Sequence, residues 1–387
     1  MKRKLSFLFS ILFCTALITL SSLLILNMYK DSKGHKDVFL PIQIHEPRKT
    51  SVEGKFYSET ITLGAIGDIL IHDWVYNDAK TPDGYDFTPM FQPIKQTLQQ
   101  PDLLLANQET ILGGSSIGIS SYPLFNSPQE VGDALIDTGV DIVSTANNHS
   151  LDKGEKGLVA SLNYLDTIGL PHVGTYKNAT EKKQIQILNA NGIQVAYLSY
   201  TYGTNGIAVP NGKEYLVNLI DRKAMKEEIS RAKQKADVIV MSIHWGNEYQ
   251  RYPTADQTEL AQFLTDEGVD IIFGHHPHVL QPMEWRKASD GHLTLVVYSL
   301  GNFLSGQNSH YKDIGGMATI EVTKTIDKDG MKLTLNNPNF FPTYVSKMER
   351  IRNYRVVPLQ DAEKFGLKNA KNIYEEIQKH MLGNLSQ

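Results

Sequence analysis

The segment GHHPHVLQP, residues 274–282, sets three of the chain's twelve histidines within four positions beside a proline. His276 and His278 form an H-x-H pair that can offer two imidazole nitrogens to one site, so metal ligation is the first chemistry to consider. Four other short clusters carry ligand-type side chains: GDILIH (67–72), NQE (107–109), NNH (147–149) and HWG (244–246). Each alone has an ordinary structural reading, since a short polar residue caps a turn and a histidine can sit satisfied in a core. Together, Asp68, Glu109, Asn148, His244, His276 and His278 amount to two carboxylates, an amide oxygen and three imidazoles. That set suits a pair of divalent cations with water or hydroxide completing the coordination. Imidazole favours Mn, Fe, Zn or Ni over Ca or Mg, and the ligand types do not choose among the four.

The clusters share a setting. They directly follow short apolar, β-branched runs, TITLGAIGD, PDLLLANQE, VDIVSTANNH, ADVIVMSIHWG and VDIIFGHHPH, with IQVAYLSYT and LTLVVYSLGNF as further runs of the kind. Amphipathic stretches lie between them: MFQPIKQTLQQ, PQEVGDALIDTG, KGEKGLVASLNYLDTIG, DRKAMKEEISRAKQKA and TADQTELAQFLTDEG. The alternation predicts an α/β fold, and the unbroken apolar character of VIVMSI and DIIFG predicts strands covered on both faces. The polar clusters then gather at the carboxyl ends of the strands, the edge at which open α/β sheets bind ligands. After Phe303 the pattern turns alternating and helix-poor, and GMATIEVTK and GMKLTLNNPNF, joined at DKDG (327–330), read as a hairpin extending the core. The tail from Leu359 has helical spacing and mixed charge, carries no assigned chemistry, and is expected to hold His380 at the surface.

A chain of 387 residues with 41% hydrophobic content can bury a large core. Its 38 Lys+Arg against 42 Asp+Glu leave no basic stripe, which argues against a nucleic-acid partner. Leu5 to Tyr29 contains no charged residue, long enough for a helix across a bilayer core of about 30 Å. Lys2, Arg3 and Lys4 precede it, so a single pass at the cell membrane with the C-terminal domain extracellular is expected. A cleavable signal peptide is the competing reading, but its apolar region is usually about 7–15 residues and ends in small side chains. Here the run ends in Asn27, Met28 and Tyr29, which favours an anchor. Cys14, the one cysteine, follows Phe13 and does not suit a lipidation site; without a second thiol no intrachain disulfide can form. Residues 30–56 are polar with two prolines and read as a linker in which His35 and His45 are solvated. The expected division is a cytoplasmic stub (1–4), a membrane span (5–29), the linker (30–56), a main domain (57–357) and a helical extension (358–387).

The motifs GDILIH, NQET, YPLFNSPQEVGDAL, TANNHSLDKGEKG, LSYTYGTNG, HWGNEY, GHHPHVLQPMEW and VVYSLGNFL, in this order, resemble the CapA-type capsule synthesis proteins of the poly-γ-glutamate capsule family. That family is similar to the calcineurin-like metallophosphoesterases, so the resemblance implies a four-layer α-β-β-α sandwich around a dinuclear metal centre. By the same resemblance Asp68 matches the first metal-binding aspartate, Asn148 the metal-binding asparagine and His149 the histidine that pairs with it. His244, His276 and His278 match the remaining histidine ligands, and His275 is left as a flanking residue. The sequence departs from the phosphoesterase pattern twice. No D-x-H follows Asp68, the nearest histidine being His72, and the second aspartate of a G-D-x-x-D motif is missing, so Glu109 is expected to bridge in its place. His149 is expected to serve as general acid or orienting donor, with His72 as a second proton-handling candidate. Asn107, Asn147 and Asn302 are candidate donors to substrate.

The resemblance implies a membrane-anchored extracellular protein of capsule or poly-γ-glutamate synthesis or export. Its partners would be an anionic polymer such as poly-γ-glutamate and the membrane subunits of a capsule synthase complex. Two functional readings follow. One is metal-assisted hydrolysis of a phosphoester or an amide with two divalent ions, Mn, Fe or Zn. The other is a non-catalytic assembly or polymer-binding factor. A wall- or sugar-binding module would instead need exposed aromatic platforms, and Trp74, Trp245 and Trp285 lie nearest the motifs.

Overall fold

The structure, a computed structural model, describes residues 56–348 and 352–385. The expected membrane span and most of the linker lie outside these residues, and among the described ones no helix is long and apolar enough to cross a membrane.

Strand β1 (Tyr57–Leu70) runs into the interior and is buried at every residue from Leu63 onward. Helix α1 (Asp73–Asp78) and the two-residue strands β2 (Lys80–Thr81) and β3 (Gly84–Tyr85) follow. The stretch MFQPIKQTLQQ, which reads as one amphipathic segment, is instead split between the one-turn helices Thr88–Phe91 and Lys95–Leu98. Pro93 lies between them and cannot donate the backbone bond a continuous helix needs. The expected alternation then appears as β4 (Leu103–Gln108), α2 (Glu130–Thr138), β5 (Ile142–Ser144), α3 (Gly154–Ile168) and β6 (His172–Val173). Strands β7 (Gln186–Ala190) and β8 (Ile193–Thr201) form a hairpin, and α4 (Arg222–Lys233) starts on the side-chain cap of Asp221. After β9 (Val238–His244), helix α5 (Ala255–Asp266) starts on a capping box between Thr254 and Gln257, which satisfies two otherwise orphaned backbone donors. Next come β10 (Ile271–His275), β11 (Leu280–Lys287), β12 (Leu293–Leu300), β13 (Asn302–Ser305), β14 (Ile314–Asp327), β15 (Gly330–Met348), β16 (Arg352–Pro358) and helix α6 (Ala370–Leu382). The DKDG hairpin is present, with Asp327 paired to Gly330.

The strands form two main sheets. One has the order β16-β15-β14-β1-β4-β5-β6, with β13 also on β1; the other has the order β11-β12-β10-β9-β8-β7. Within them β1-β4-β5-β6 and β8-β9-β10-β12 are parallel, so both sheets aim carboxyl ends of strands at a common rim. Successive strand residues face opposite ways, and this divides the core. Leu63, Ala65 and Leu105 of the first sheet pack with Val195, Val240, Phe273 and Val297 of the second. Ile66, Leu104 and Val143 face away, towards Leu135, Leu158 and Leu162 of α2 and α3. Leu198, Met241 and Ile272 face Ile229 and Leu264 of α4 and α5. The layers are therefore helices, sheet, sheet, helices, and each buried aliphatic side chain contributes about 1.5–3 kcal/mol.

Two details position the rim. A Cβ on Gly67 would stand 2.0 Å from the Gly301 carbonyl oxygen, and one on Gly274 would stand 2.1 Å from that of Tyr298. Gly67 directly precedes Asp68 and Gly274 directly precedes the histidine run, and each permits backbones to approach where any side chain would hold them apart. The C-terminal tail is helical, as its spacing predicts, and differs from expectation at one residue. Helix α6 buries Ala370, Ile377 and Met381 in the core between the sheets, so it is a structural wall of the sandwich. His380, expected at the surface, is half-buried, with Nε2 3.0 Å from the Leu280 carbonyl oxygen.

Candidate metal centre

Asp68 lies near the end of β1, Asn107 in β4 and Glu109 just beyond it, while Asn148 and His149 occupy the turn between β5 and α3. His244 is the last residue of β9 and His275 the last of β10, and His276 and His278 lie in the loop leading to β11. All are buried. Both sheets thus contribute to one cluster, as the strand-end argument requires. His276 and His278 take positive φ values of 97° and 58°. Backbone strain of this kind costs about 1–3 kcal/mol per residue and persists only where the surroundings hold it.

Among the described residues, three groups place one ligand atom from each member within 4.8 Å of the others: Glu109/His244/His276, Asp68/Glu109/His278 and Glu248/His276/His278. Glu109 belongs to the first two. Its Oε1 is 3.6 Å from His244 Nε2 and 3.7 Å from His278 Nε2. Asn148 Oδ1, 2.9 Å from His244 Nε2, adds an amide oxygen to the first group. In the second, Asp68 Oδ2 lies 3.1 Å from His278 Nδ1, and Asp68 Oδ1 accepts from Asn107 Nδ2 at 2.8 Å. Asn107 is itself oriented by the Ser144 hydroxyl, which donates to its Oδ1 at 3.0 Å. His275 Nδ1 stands 3.5 Å from Asp68 Oδ1 and is in none of the three groups.

The electrostatics of the cluster suit cations. Both carboxylate oxygens of Glu109, Nδ1 of His244, Nδ1 of His276 and both ring nitrogens of His275 are buried without hydrogen-bond partners. Burial pushes the Glu109 carboxyl well above its ordinary 4.5. Such a group is costly to ionise unless positive charge compensates it. Burial likewise depresses His244 well below 6.5 and His276 to about 3, so both imidazoles are neutral, the form that ligates metal. Burial acts to raise Asp68 as well, but His275 and His278 hold it well below the usual carboxylate range. For His278 burial is outweighed by the carboxylates of Glu109 and Asp68, which raise it to about 9, so a cation bound at this imidazole displaces its proton. The donor set and its orphaned atoms fit divalent cations.

Beside the ligand groups, His149 Nδ1 lies 2.7 Å from Asp152 Oδ2, and the fully buried Asp152 side chain also accepts from the Phe125 backbone N–H at 2.7 Å. Asn205 Nδ2 stands 3.4 Å from the same His149 nitrogen. His72 is in none of the ligand groups. Its Nδ1 is 3.0 Å from the Leu70 carbonyl oxygen and 3.2 Å from the Gly306 nitrogen, and burial lowers its pKa to about 4. The Phe125 ring stands edge-on to both His72 and His149, at 5.2 and 4.7 Å. The three asparagines read as substrate donors are buried with their amide protons engaged by protein: Asn107 on Asp68, Asn147 on the Gln108 carbonyl, Asn302 on Gln307 and the Lys312 carbonyl. Trp245 is buried with Nε1 donating to the Tyr298 carbonyl, Trp285 is half-buried and Trp74 is exposed. The exposed aromatics against the histidines are tyrosines, Tyr202 with its ring centre 4.7 Å from His276 and Tyr249 6.2 Å from His278.

Asp152, Glu248, Tyr202 and Asn205 were not singled out by sequence reasoning. Asp152 had a legible signal, since His149-x-x-Asp152 sets the pair at a three-residue spacing within TANNHSLDKGEKG. Glu248 sits in HWGNEY, four residues after His244. Tyr202 and Asn205 reach the centre only through the fold.

A mixed α/β sandwich with a histidine- and carboxylate-lined rim defines the class. The model of the bacterial capsule synthesis protein family PGA_cap matches residues 62–307, and the chain belongs to that family. It is 29% identical over 300 residues to the PGA biosynthesis protein CapA of Bacillus subtilis, covering 74% of this chain and 76% of that one. It is 30% identical over 258 residues to the capsule biosynthesis protein CapA of Bacillus anthracis, covering 65% and 61%. Among solved structures, the calcineurin-like phosphoesterase YfkN of Bacillus subtilis is similar at 17% identity and a TM-score of 0.47, covering 82% of this chain and 100% of that one.

Proposed function

We propose that this chain hydrolyses a bond of an anionic cell-envelope polymer of the poly-γ-glutamate type at a two-cation centre, anchored in the cell membrane by residues 5–29 with the main domain outside. The observation that carries the centre is Glu109: fully buried, unpartnered at both oxygens and shared by two ligand groups. Glu109, Asn148, His244 and His276 would hold one ion, and Asp68, Glu109 and His278 the other. Mn, Fe or Zn suits these donors. When bound, such cations activate water near neutral pH and stabilise a developing oxyanion. The protein's own part is positioning and proton transfer. Asp152 occupies His149 Nδ1, which leaves Nε2 as the nitrogen that hands a proton to the leaving group. Asn107 holds Asp68 in place. The polymer follows the name of the PGA biosynthesis protein CapA of Bacillus subtilis, and the anchor the uncharged run.

The test is the full chain purified in detergent with Mn²⁺ or Zn²⁺, assayed on a generic phosphodiester and on poly-γ-glutamate, with Glu109→Ala as control. Bound cation and turnover, both lost in the variant, are the expected result; absence of bound cation from the unsubstituted chain sinks the centre. A second reading is favoured by the relatives' names, which speak of biosynthesis and not of hydrolysis. In it the chain is an assembly or polymer-binding factor of the capsule export complex, and its signature is retained poly-γ-glutamate binding without turnover.

A further inference from the structure

Glu248 is not needed for either ligand group that shares Glu109, yet it forms a third group with His276 and His278. It differs from the other two carboxylates in one respect: Asp68 and Glu109 are sealed in the interior, whereas Glu248 is exposed. It therefore approaches the histidines from the solvent side, the side from which a substrate arrives. The short segment that carries it is tied down. The Tyr249 N–H donates to the Pro277 carbonyl at 2.7 Å, coupling this segment to the histidine loop, and Gly246 and Tyr249 take φ values of 82° and 64°. Tyr249 is held further by Lys312, whose Nζ stands 4.7 Å from the ring centre. A second observation points to a ligand here, because buried His276 Nδ1 has no partner.

The two ligand groups are also unequal. Glu109, Asn148, His244 and His276 supply four donors, but Asp68, Glu109 and His278 supply three, the number at which a metal site keeps an open position. Charge points the same way: two divalent cations against Asp68 and Glu109 leave two positive charges uncompensated, and a third carboxylate at the mouth removes one.

Resting on the two-cation reading, we propose that Glu248 is a displaceable ligand: it occupies the open coordination position at the His276/His278 side in the resting centre and yields it to an anionic group of the incoming substrate. The carboxylate and the substrate anion then compete for one place, so removing Glu248 has effects of opposite sign. Cation binding weakens because a ligand is lost, and anion binding to the loaded centre tightens because a competitor is lost.

The experiment is calorimetric titration of the full chain in detergent with Mn²⁺, then of the Mn²⁺-loaded protein with inorganic phosphate, for the unsubstituted chain, Glu248→Gln and Glu248→Asp. Glu248→Gln is expected to weaken the weaker of two Mn²⁺ affinities about ten-fold, leave the tighter one unchanged, and tighten phosphate binding. Glu248→Asp, with the charge kept on a shorter reach, is expected to fall between. Unchanged melting of the cation-free variants verifies that the exposed substitution leaves the fold intact. Two Mn²⁺ sites that are indifferent to Glu248→Gln overturn the inference and leave the two-cation reading standing. Phosphate binding that weakens together with Mn²⁺ overturns displacement, since Glu248 is then a fixed ligand. An unsubstituted chain that takes up no Mn²⁺ removes the two-cation reading, and this inference with it.

Discussion

Two buried polar regions meet along β4, and they are satisfied in different ways. On one side Gln108, Thr110, Ser127, Thr145, Asn147, Ser150 and Thr175 form a network of hydroxyls and amides. Ser127 Oγ donates to Thr110 Oγ1 at 2.7 Å, Ser150 Oγ to the Thr145 carbonyl at 2.7 Å, Asn147 Nδ2 to the Gln108 carbonyl at 2.9 Å, and the Thr145 and Thr175 hydroxyls pair at 2.7 Å. The cavity among these side chains is only about 10 Å³, the room of about one water molecule. On the other side Glu109 stands 3.6 and 3.7 Å from the nearest histidine nitrogens, beyond hydrogen-bonding distance, with both oxygens orphaned. The first region closes on itself apart from Gln108 Oε1; the second leaves a gap lined by charge. A folded chain tolerates buried polar groups either because they bond to one another or because something that is not protein completes them.

The largest effect expected from this contrast is on stability with added cation. Saturating Mn²⁺ or Zn²⁺, at about a thousand times the dissociation constant, should raise the unfolding free energy by about 4 kcal/mol, and a chelator should reverse it. A denaturation midpoint that ignores cation breaks the comparison. Next, Asn147→Ala removes two donations, to the Gln108 and Thr145 carbonyls, and the acceptor of the His149 N–H. A loss of about 2–3 kcal/mol is expected, with cation stoichiometry unchanged. Glu109→Gln should do the reverse in kind: the stability of the cation-free chain stays within about 1 kcal/mol, because the amide is as buried and unpartnered as the carboxyl it replaces, while the response to cation is lost. Equal behaviour of the two variants would erase the distinction between the regions.

The smallest effect sharpens it with a buried carboxylate that does have protein partners. Asp270 Oδ2 accepts from the Ile239 N–H at 2.8 Å, and Oδ1 lies 3.7 Å from His292 Nε2. Burial raises its pKa from the ordinary 3.8 to about 6, against the opposing pull of the Ile239 N–H and His292. The folded state therefore holds this proton more tightly than the unfolded chain, and the stability it contributes is present below pH 3.8 and lost as pH rises through about 6. Urea unfolding across that window should show the decline, and Asp270→Asn should flatten it without touching cation uptake.

Much of this was legible in the residues. The runs that end in GDILIH, NQE, NNH, HWG and HHPH are strands, because continuous apolar character marks a strand covered on both faces, and their polar ends fall at one rim. The helices from KGEKGLVASLNYLDTIG and TADQTELAQFLTDEG appear because their apolar spacing and caps agree. The misses have local causes. LQPMEW carries too mixed a pattern to announce β11, a strand whose partner β12 supplies the pairing. His380 sits on a helix whose other face enters the core, and mixed charge alone did not reveal which face that was.

By itself the sequence determined the elements and the inventory of donors, because strand and helix periods and side-chain chemistry are properties of short stretches. Only the tertiary structure decided which donors share a site, that Glu109 serves two groups, that Asn147 holds a turn, and that Asp152 and Glu248 join the centre. Those facts depend on distances between segments up to 210 residues apart, as between Asp68 and His278, and no local pattern encodes such a distance.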